Sequence, residues 1–284
     1  MSAAVETKVF FKRAVVAAAF SPRLVAVLNE SQRILKILGA WPIIVHIGEE
    51  NPSNRSKLED AVARSEFRDH PPVLIVRAGQ PSDVLMDVVL EYEADLIIAG
   101  ALKKERLFKY YLGSIARNLA RYSRCSVLLL TDPQQKPQSF KKIHCAVDYD
   151  EESKRAVEIA ATIASSDSAR DVYLTHSFRL PQGDEKKAFP ENAEEIKSIY
   201  KQEDEKLKQF LEEALPWDIP YHARTLYENT KATALNFARE IEADLVIVPS
   251  RQDHLGIWGR LFPHDLELAL QDLPCSLLLV KRPV

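Results

Sequence analysis

Short runs of apolar residues punctuate the chain, separated by segments whose apolar positions recur at helical spacing. The first run, Arg13–Phe20, precedes Val25–Leu38, where Val25, Leu28, Ile34, Leu35 and Leu38 share one helical face. The run Pro42–Ile47 then leads to a helix near Ser56–Arg68, Val73–Arg77 to a helix over Asp83–Tyr92, and Asp95–Ala99 to a helix over Ser114–Tyr122. Ser126–Leu130 closes the series. Runs apolar throughout predict strands buried on both faces, and their alternation with helices predicts a parallel sheet with helices on either side. Joined by right-handed crossovers, five such strands form a doubly wound, Rossmann-like unit whose ligand crevice lies at the carboxyl ends of the strands.

The same unit occurs twice. Glu93-Ala94-Asp95-Leu96-Ile97-Ile98-Ala99-Gly100 matches Glu242-Ala243-Asp244-Leu245-Val246-Ile247-Val248-Pro249 at an offset of 149, and Cys125–Leu130 matches Cys275–Val280 at 150. Ala19 and Asp148, closing the first strand of each copy, lie 129 apart, and His46 and His176 lie 130 apart. The offset therefore grows between the second strand and the EADL strand, which maps an insertion to about 182–213. This predicts two tandem α/β domains, 1–132 and 141–284, each with a five-stranded parallel sheet. The linker 133–140 carries Pro133, Pro137 and three glutamines counted from Thr131 to Phe140. Within the insertion, Ile196, Ile199, Tyr200, Leu207, Phe210 and Leu211 form a helical stripe, which reads as a helix covering its own domain or, alternatively, as a partner-binding surface.

Composition narrows the function classes. The 284 residues are 46% apolar and 28% charged, which excludes a disordered or collagen-like chain. A net charge of −3 supplies no global field for nucleic acid or anionic lipid, so neither is an expected partner. No apolar run is long enough to span a bilayer. Lys8, Lys12 and Arg13 before a short apolar run imitate a signal peptide, yet an equivalent run recurs at Ile143–Val147 inside the chain, so both read as first strands. Cys125, Cys145 and Cys275 are odd in number and lack CxxC spacing, which excludes a disulfide framework or structural zinc site and fits a reducing cytoplasm. The matched places of Cys125 and Cys275 point to buried packing.

With only 8 glycines, each position carries information. Gly100 ends a strand, and Gly113-Ser114 opens a helix thirteen residues later. A helix amino terminus offers unpaired N–H groups and partial positive charge, glycine admits close approach of an anion, and a serine hydroxyl adds a donor. Lys103, Lys104, Arg106 and Lys109 between them supply charge for a polyphosphate, or else form a solvated loop; Gly100, Gly113 and Ser114 are equally explicable as strand-to-helix turn residues.

On these residues the chain resembles a tandem member of the universal stress protein family. The family's ATP-binding branch carries Gly-x2-Gly-x9-Gly-Ser/Thr after the fourth strand, and here the frame reads Gly100-x2-Lys103-x9-Gly113-Ser114. Phe20-Ser21-Pro22-Arg23, Leu38-Gly39-Ala40 and Gly79-Gln80-Pro81 also fit. The resemblance implies two domains packed as an internal pseudo-dimer, association largely through the last strand, and a stress-response role in the cytoplasm. It further implies an ATP or adenine-nucleotide site in the first copy, with Gly100, Gly113 and Ser114 donating to phosphate and Lys103 adding charge. Self-association through sheet edges and unidentified protein partners are expected alongside. The departures matter too. Ala19 stands where ATP-binding members usually have an aspartate, while the second copy keeps Asp148 but places Pro249, Gln252, Pro263 and His264 over the phosphate motif. Proline removes N–H donors from that cradle.

Other motifs carry less. His46-Ile47-Gly48-Glu49 departs from the HIGH signature of nucleotidyltransferases, lies after the second strand and lacks a KMSKS partner, so His46 and His176 read as strand-end histidines. His254, His264, Asp253 and Asp265 lack metal-ligand spacing, and no metal is expected. No nucleophile–base pair, HExxH, Walker A or paired catalytic carboxylate occurs, so no catalytic residue is predicted. Three readings remain open: a non-catalytic stress-response protein that binds an adenine nucleotide, an interaction scaffold of the same fold without nucleotide, and a weak ATPase or nucleotidyl-transfer enzyme.

Overall fold

A computed structural model describes residues 9–104, 109–111, 114–178, 193–227, 233–250 and 273–282. The first half runs β1 (Arg13–Ala17), α1 (Leu24–Leu38), β2 (Trp41–Ile47), α2 (Pro52–Ala63), β3 (Val73–Arg77), α3 (Pro81–Glu91), β4 (Leu96–Gly100), β5 (Leu102–Lys104), β6 (Lys109–Tyr111), α4 (Ser114–Tyr122) and β7 (Ser126–Leu130). The second runs β8 (Lys142–Val147), α5 (Glu151–Asp167), β9 (Asp171–Phe178), α6 (Ala193–Ala214), β10 (His222–Tyr227), α7 (Thr233–Glu240), β11 (Leu245–Pro249) and β12 (Ser276–Val280). Two tandem Rossmann-like units are thus present, each contributing five parallel strands.

Local signals set the helix ends. The αL residue Gly39, at φ 75°, closes α1 through its N–H to the Leu35 carbonyl. The Asp150 carboxylate caps α5 by accepting the Ser153 amide at 2.8 Å. Helix α2 starts four residues before the Ser56 expected from periodicity, because Asn51 accepts the Asn54 amide at 2.8 Å and Pro52 occupies the first turn. It also ends at Ala63, short of the expected Arg68.

The five-stranded sheets are not separate. They join in one ten-stranded sheet, ordered β10-β9-β8-β11-β12-β7-β4-β1-β2-β3, in which every pair is parallel except β12 with β7. At that seam Leu128 lies opposite Leu278, its own counterpart in the repeat. A pseudo-twofold axis therefore passes between them. Contacts on either side obey it: the Lys281 amide donates to Ser126 Oγ at 3.0 Å, and the Thr131 amide to Ser276 Oγ at 3.3 Å.

Two apolar layers sandwich the sheet, and both run through the two halves. One holds Leu28, Leu35, Leu58, Ile159, Ile163 and Leu211 from α1, α2, α5 and α6; the other lies beneath α3, α4 and α7. Where α1 meets α5, the partly buried Arg33 guanidinium donates to Asp167 at 2.5 Å and to Glu30 at 2.6 Å, and stacks 4.6 Å from the Phe140 ring centroid. Asp167 also accepts the Phe140 amide at 2.8 Å. At the end of β12, the Lys281 ammonium is buried. It donates to the Ser123 and Ala120 carbonyls at 2.7 and 3.2 Å, capping α4 of the opposite half.

The repeated EADL string acquires a physical meaning here. Glu93 and Glu242 take left-handed φ values of 49° and 54°, reversing the chain after α3 and α7. Ala94 and Ala243 then donate to the Val89 and Ala238 carbonyls, both at 2.9 Å. Asp95 accepts the Lys12 and Arg13 amides at 2.9 and 3.2 Å, and Asp244 accepts those of Lys141 and Lys142 at 2.7 and 2.8 Å. Each aspartate thus ties the amino end of its own strand to that of the first strand in its half.

Candidate functional site

In the first half, connections leave β1 toward β2 on one side, while β4 flanks it on the other. That reversal opens a crevice at the carboxyl ends of β1 and β4. Gly100 ends β4 there and is exposed. Its backbone is not left-handed, since the positive-φ glycines among the described residues are Gly39 and Gly79. A Cβ at Gly100 would come 3.2 Å from Val27 Cγ2, a tight contact that favours a small residue there. Ser114, also exposed, is the first residue of α4, on the same edge of the sheet.

Lys103 departs from the open loop considered above. It lies in β5, which pairs with β6 as an antiparallel ribbon with Lys103 opposite Tyr110 and Lys104 opposite Lys109. Tyr110 and Tyr111 suit an extended ribbon better than a solvated loop. Arg106 and Gly113 lie outside the described residues. The structure therefore brings Gly100, Lys103 and Ser114 to one strand-to-helix connection.

Arg23 at the start of α1 enters this crevice as well. Its guanidinium donates to the Ala101 carbonyl at 3.2 Å and the Thr131 carbonyl at 2.8 Å, just past the ends of β4 and β7. Asp132 stands 3.9 Å away. The sequence places Arg23 within a family-like string and shows nothing of its role. The available signal was its repeat counterpart, Glu152, which carries the opposite charge.

Beside Ala19, the Phe20 ring stacks on His46 with centroids 3.6 Å apart and planes inclined by 22°. Lys57 Nζ lies 6.0 Å from the Phe20 ring. His46 donates from Nδ1 to the Ala18 carbonyl at 2.8 Å, and a Cβ on Gly48 would approach its Nε2 within 2.8 Å. The His-Ile-Gly string is therefore a strand-end histidine beside the glycine that makes room for it.

The second half repeats the stack and covers it. His176 donates from Nδ1 to the Val147 carbonyl at 2.8 Å, and Tyr149 stacks on it at 4.1 Å. Helix α6, the predicted insertion helix, then closes over the pair: Phe210 meets the Tyr149 ring edge-on at 5.5 Å, and Glu203 stands 3.9 Å from His176. Burial, with Glu203 and Asp148 nearby, pushes the Tyr149 phenol above its ordinary range. The Asp148 amide donates to Ser153 Oγ at 2.8 Å at the start of α5. Pro249 takes the place of Gly100, opposite Val280 as Gly100 is opposite Leu130. Gln252, Asp253, His254, Pro263, His264 and Asp265 lie outside the described residues.

All three cysteines are buried thiols, with Cys125 and Cys275 pushed up to about 12 by burial, which suits packing and not redox chemistry. Among the described residues, no group of His, Cys, Asp or Glu could hold a metal, and no helix is long and apolar enough to cross a membrane.

The universal stress protein family model matches residues 45–131 and 139–281. The chain belongs to the universal stress protein family. Membership places it among stress-response proteins, and the double match agrees with the tandem repeat. Solved structures share the fold along its whole length. A protein of unknown function from Pseudomonas aeruginosa PAO1 superposes with a TM-score of 0.71 at 17% identity, over 96% of this chain and 93% of that one. A putative universal stress protein from P. aeruginosa UCBPP-PA14 gives 0.71 and 17%, over 95% and 93%. A universal stress protein from Archaeoglobus fulgidus DSM 4304 gives 0.60 and 14%, over 96% and 98%. No curated protein matches the chain in sequence.

Proposed function

We propose that this universal stress protein binds an adenine nucleotide, ATP as the leading case, in the crevice of its first half and acts in the cytoplasm without catalysing a reaction. The observation that carries the reading is the convergence of Gly100 and Ser114 on one strand-to-helix connection at the reversal of strand order. That is where a phosphate meets helix N–H groups in doubly wound folds. The residues present fit the phosphate end of a nucleotide. Ser114 offers a hydroxyl and the amino end of α4, and Lys103 adds charge from the ribbon. On the base side, the Phe20–His46 stack stands in place of a carboxylate. Under this reading the working domain is 1–132, 133–140 is the linker, and 141–284 supports it with a mouth covered by α6. Self-association would use the outer edges β3 and β10, because the last strands already pair within the chain.

The alternative, an interaction scaffold without nucleotide, draws on one specific observation: packing against Val27 accounts for Gly100 without any ligand. The two readings separate by heat-denaturing purified protein, identifying any released nucleotide, and titrating the emptied protein with ATP and AMP by calorimetry. Bound or binding ATP, abolished by Gly113→Asp, supports the site. Absence of both released nucleotide and ATP heat sinks it in favour of the scaffold, and conversion of ATP to ADP that persists through further purification would instead mark a weak ATPase.

A further inference from the structure

The two halves repeat an ion pair with its charges exchanged. In the first half the cation is Arg23, at the start of α1, and the acid is Asp132, after β7. At the matching places of the second half, the acid is Glu152, in the first turn of α5, and the cation is Arg282, after β12. The pairs also differ in which member is the more buried. Arg23 is held on two carbonyls with its side chain 32% exposed, while Asp132 is 51% exposed and stands 3.9 Å off. Glu152 is 5% exposed and meets the Arg282 Nε at 2.5 Å, whereas Arg282 is 62% exposed. The more buried charge at the carboxyl ends of the strands is therefore positive in one half and negative in the other.

We propose that Arg23 selects anionic ligands for the first crevice. Two of its five N–H groups satisfy the Ala101 and Thr131 carbonyls, which fixes the guanidinium beside the residue that follows Gly100. The remaining donors and the charge face a carboxylate too distant for a hydrogen bond, and a phosphate oxygen competes with it on favourable terms. Glu152 sets a buried carboxylate at the same place in the second half, where an incoming phosphate would meet like charge. The inference rests on the nucleotide reading above and deepens it: the ligand is recognised through its phosphate charge, and recognition is confined to one half.

The test is calorimetry on the full chain with ATP and with adenosine, each at low and high salt, for the wild type, Arg23→Gln and Asp132→Asn. Arg23→Gln should weaken ATP by about tenfold or more, the scale of one lost charged hydrogen bond, flatten its salt dependence and leave adenosine within about twofold. Asp132→Asn should tighten ATP by about two- to threefold by removing the competing acid, again without effect on adenosine. Unchanged ATP affinity in Arg23→Gln, or equal losses for ATP and adenosine, overturns the inference while leaving the nucleotide site standing. A wild type that binds neither ligand overturns both together. Should Arg23→Gln fail to fold, Asp132→Asn decides alone, and unchanged ATP affinity there sinks the proposal.

Discussion

The Lys281 ammonium is buried against carbonyl oxygens and a serine hydroxyl at the end of α4, with no carboxylate among its hydrogen-bond partners. Desolvation lowers its pKa from the usual 10.5 to about 8, only partly opposed by Cys125. Below about pH 8 the folded and unfolded chains both hold this proton, and the residue contributes no pH dependence. Between about 8 and 10.5 the unfolded chain alone retains it, so stability rises with pH through that window. Denaturant titrations of wild type and Lys281→Met from pH 7 to 10.5 should show the wild type gaining on the variant by on the order of 2–3 kcal/mol. A constant difference across the range would mean that the ammonium is hydrated. Arg23 shows why such residues escape sequence reading. Its partners lie 78 and 108 positions away, and only the fold brings them together. Gly100 was legible as a special position, but the neighbour that favours a small residue there, Val27, belongs to a helix distant in sequence.

At the scale of elements, the EADL segments are small joints that both end a helix and anchor a strand. Their glutamates occupy a left-handed conformation that an L side chain disfavours and glycine accepts. Glu242→Gly should therefore stabilise the protein by about 0.5–1 kcal/mol, seen as a higher denaturation midpoint. A lower midpoint would show that the Glu242 side chain, 3.8 Å from Lys142 Nζ, contributes more than the backbone strain. Strand and helix order could be read from periodicity because buried strands are apolar throughout and amphipathic helices are not. The start of α2 could not, since it depends on an Asn-Pro cap lying outside the periodic stretch. The β5–β6 ribbon was hidden by its lysines, which in sequence resemble a solvated loop as much as an edge strand.

Across the whole molecule, continuous sheet and continuous apolar layers predict that the halves unfold together. Arg33 is one polar tie in that union, reaching from α1 to Asp167 at the end of α5. Arg33→Met would leave Asp167 and Glu30 buried without their cation, a loss of about 3–5 kcal/mol. Calorimetry of the wild type should give one cooperative transition, and the variant a lower one that broadens or splits as the halves uncouple. Two resolved transitions in the wild type would refute the coupling. The repeat offsets identified the two units, whereas pairing through the last strands was expected only from the family resemblance and its antiparallel direction was not foreseen, because no pattern within a single strand names its neighbour.

The pairing of Leu128 with Leu278 also bears on how the two mouths can change. In a dimer of identical chains, any substitution is written into both sites at once, and a change that spoils one spoils its twin. Joining the two units in one polypeptide removes that constraint. A carboxylate can replace a guanidinium at one mouth, and a helix can close over it, while the other mouth keeps its chemistry. The two sites also stay in a fixed one-to-one ratio, since neither half can exchange its partner for a second copy of itself.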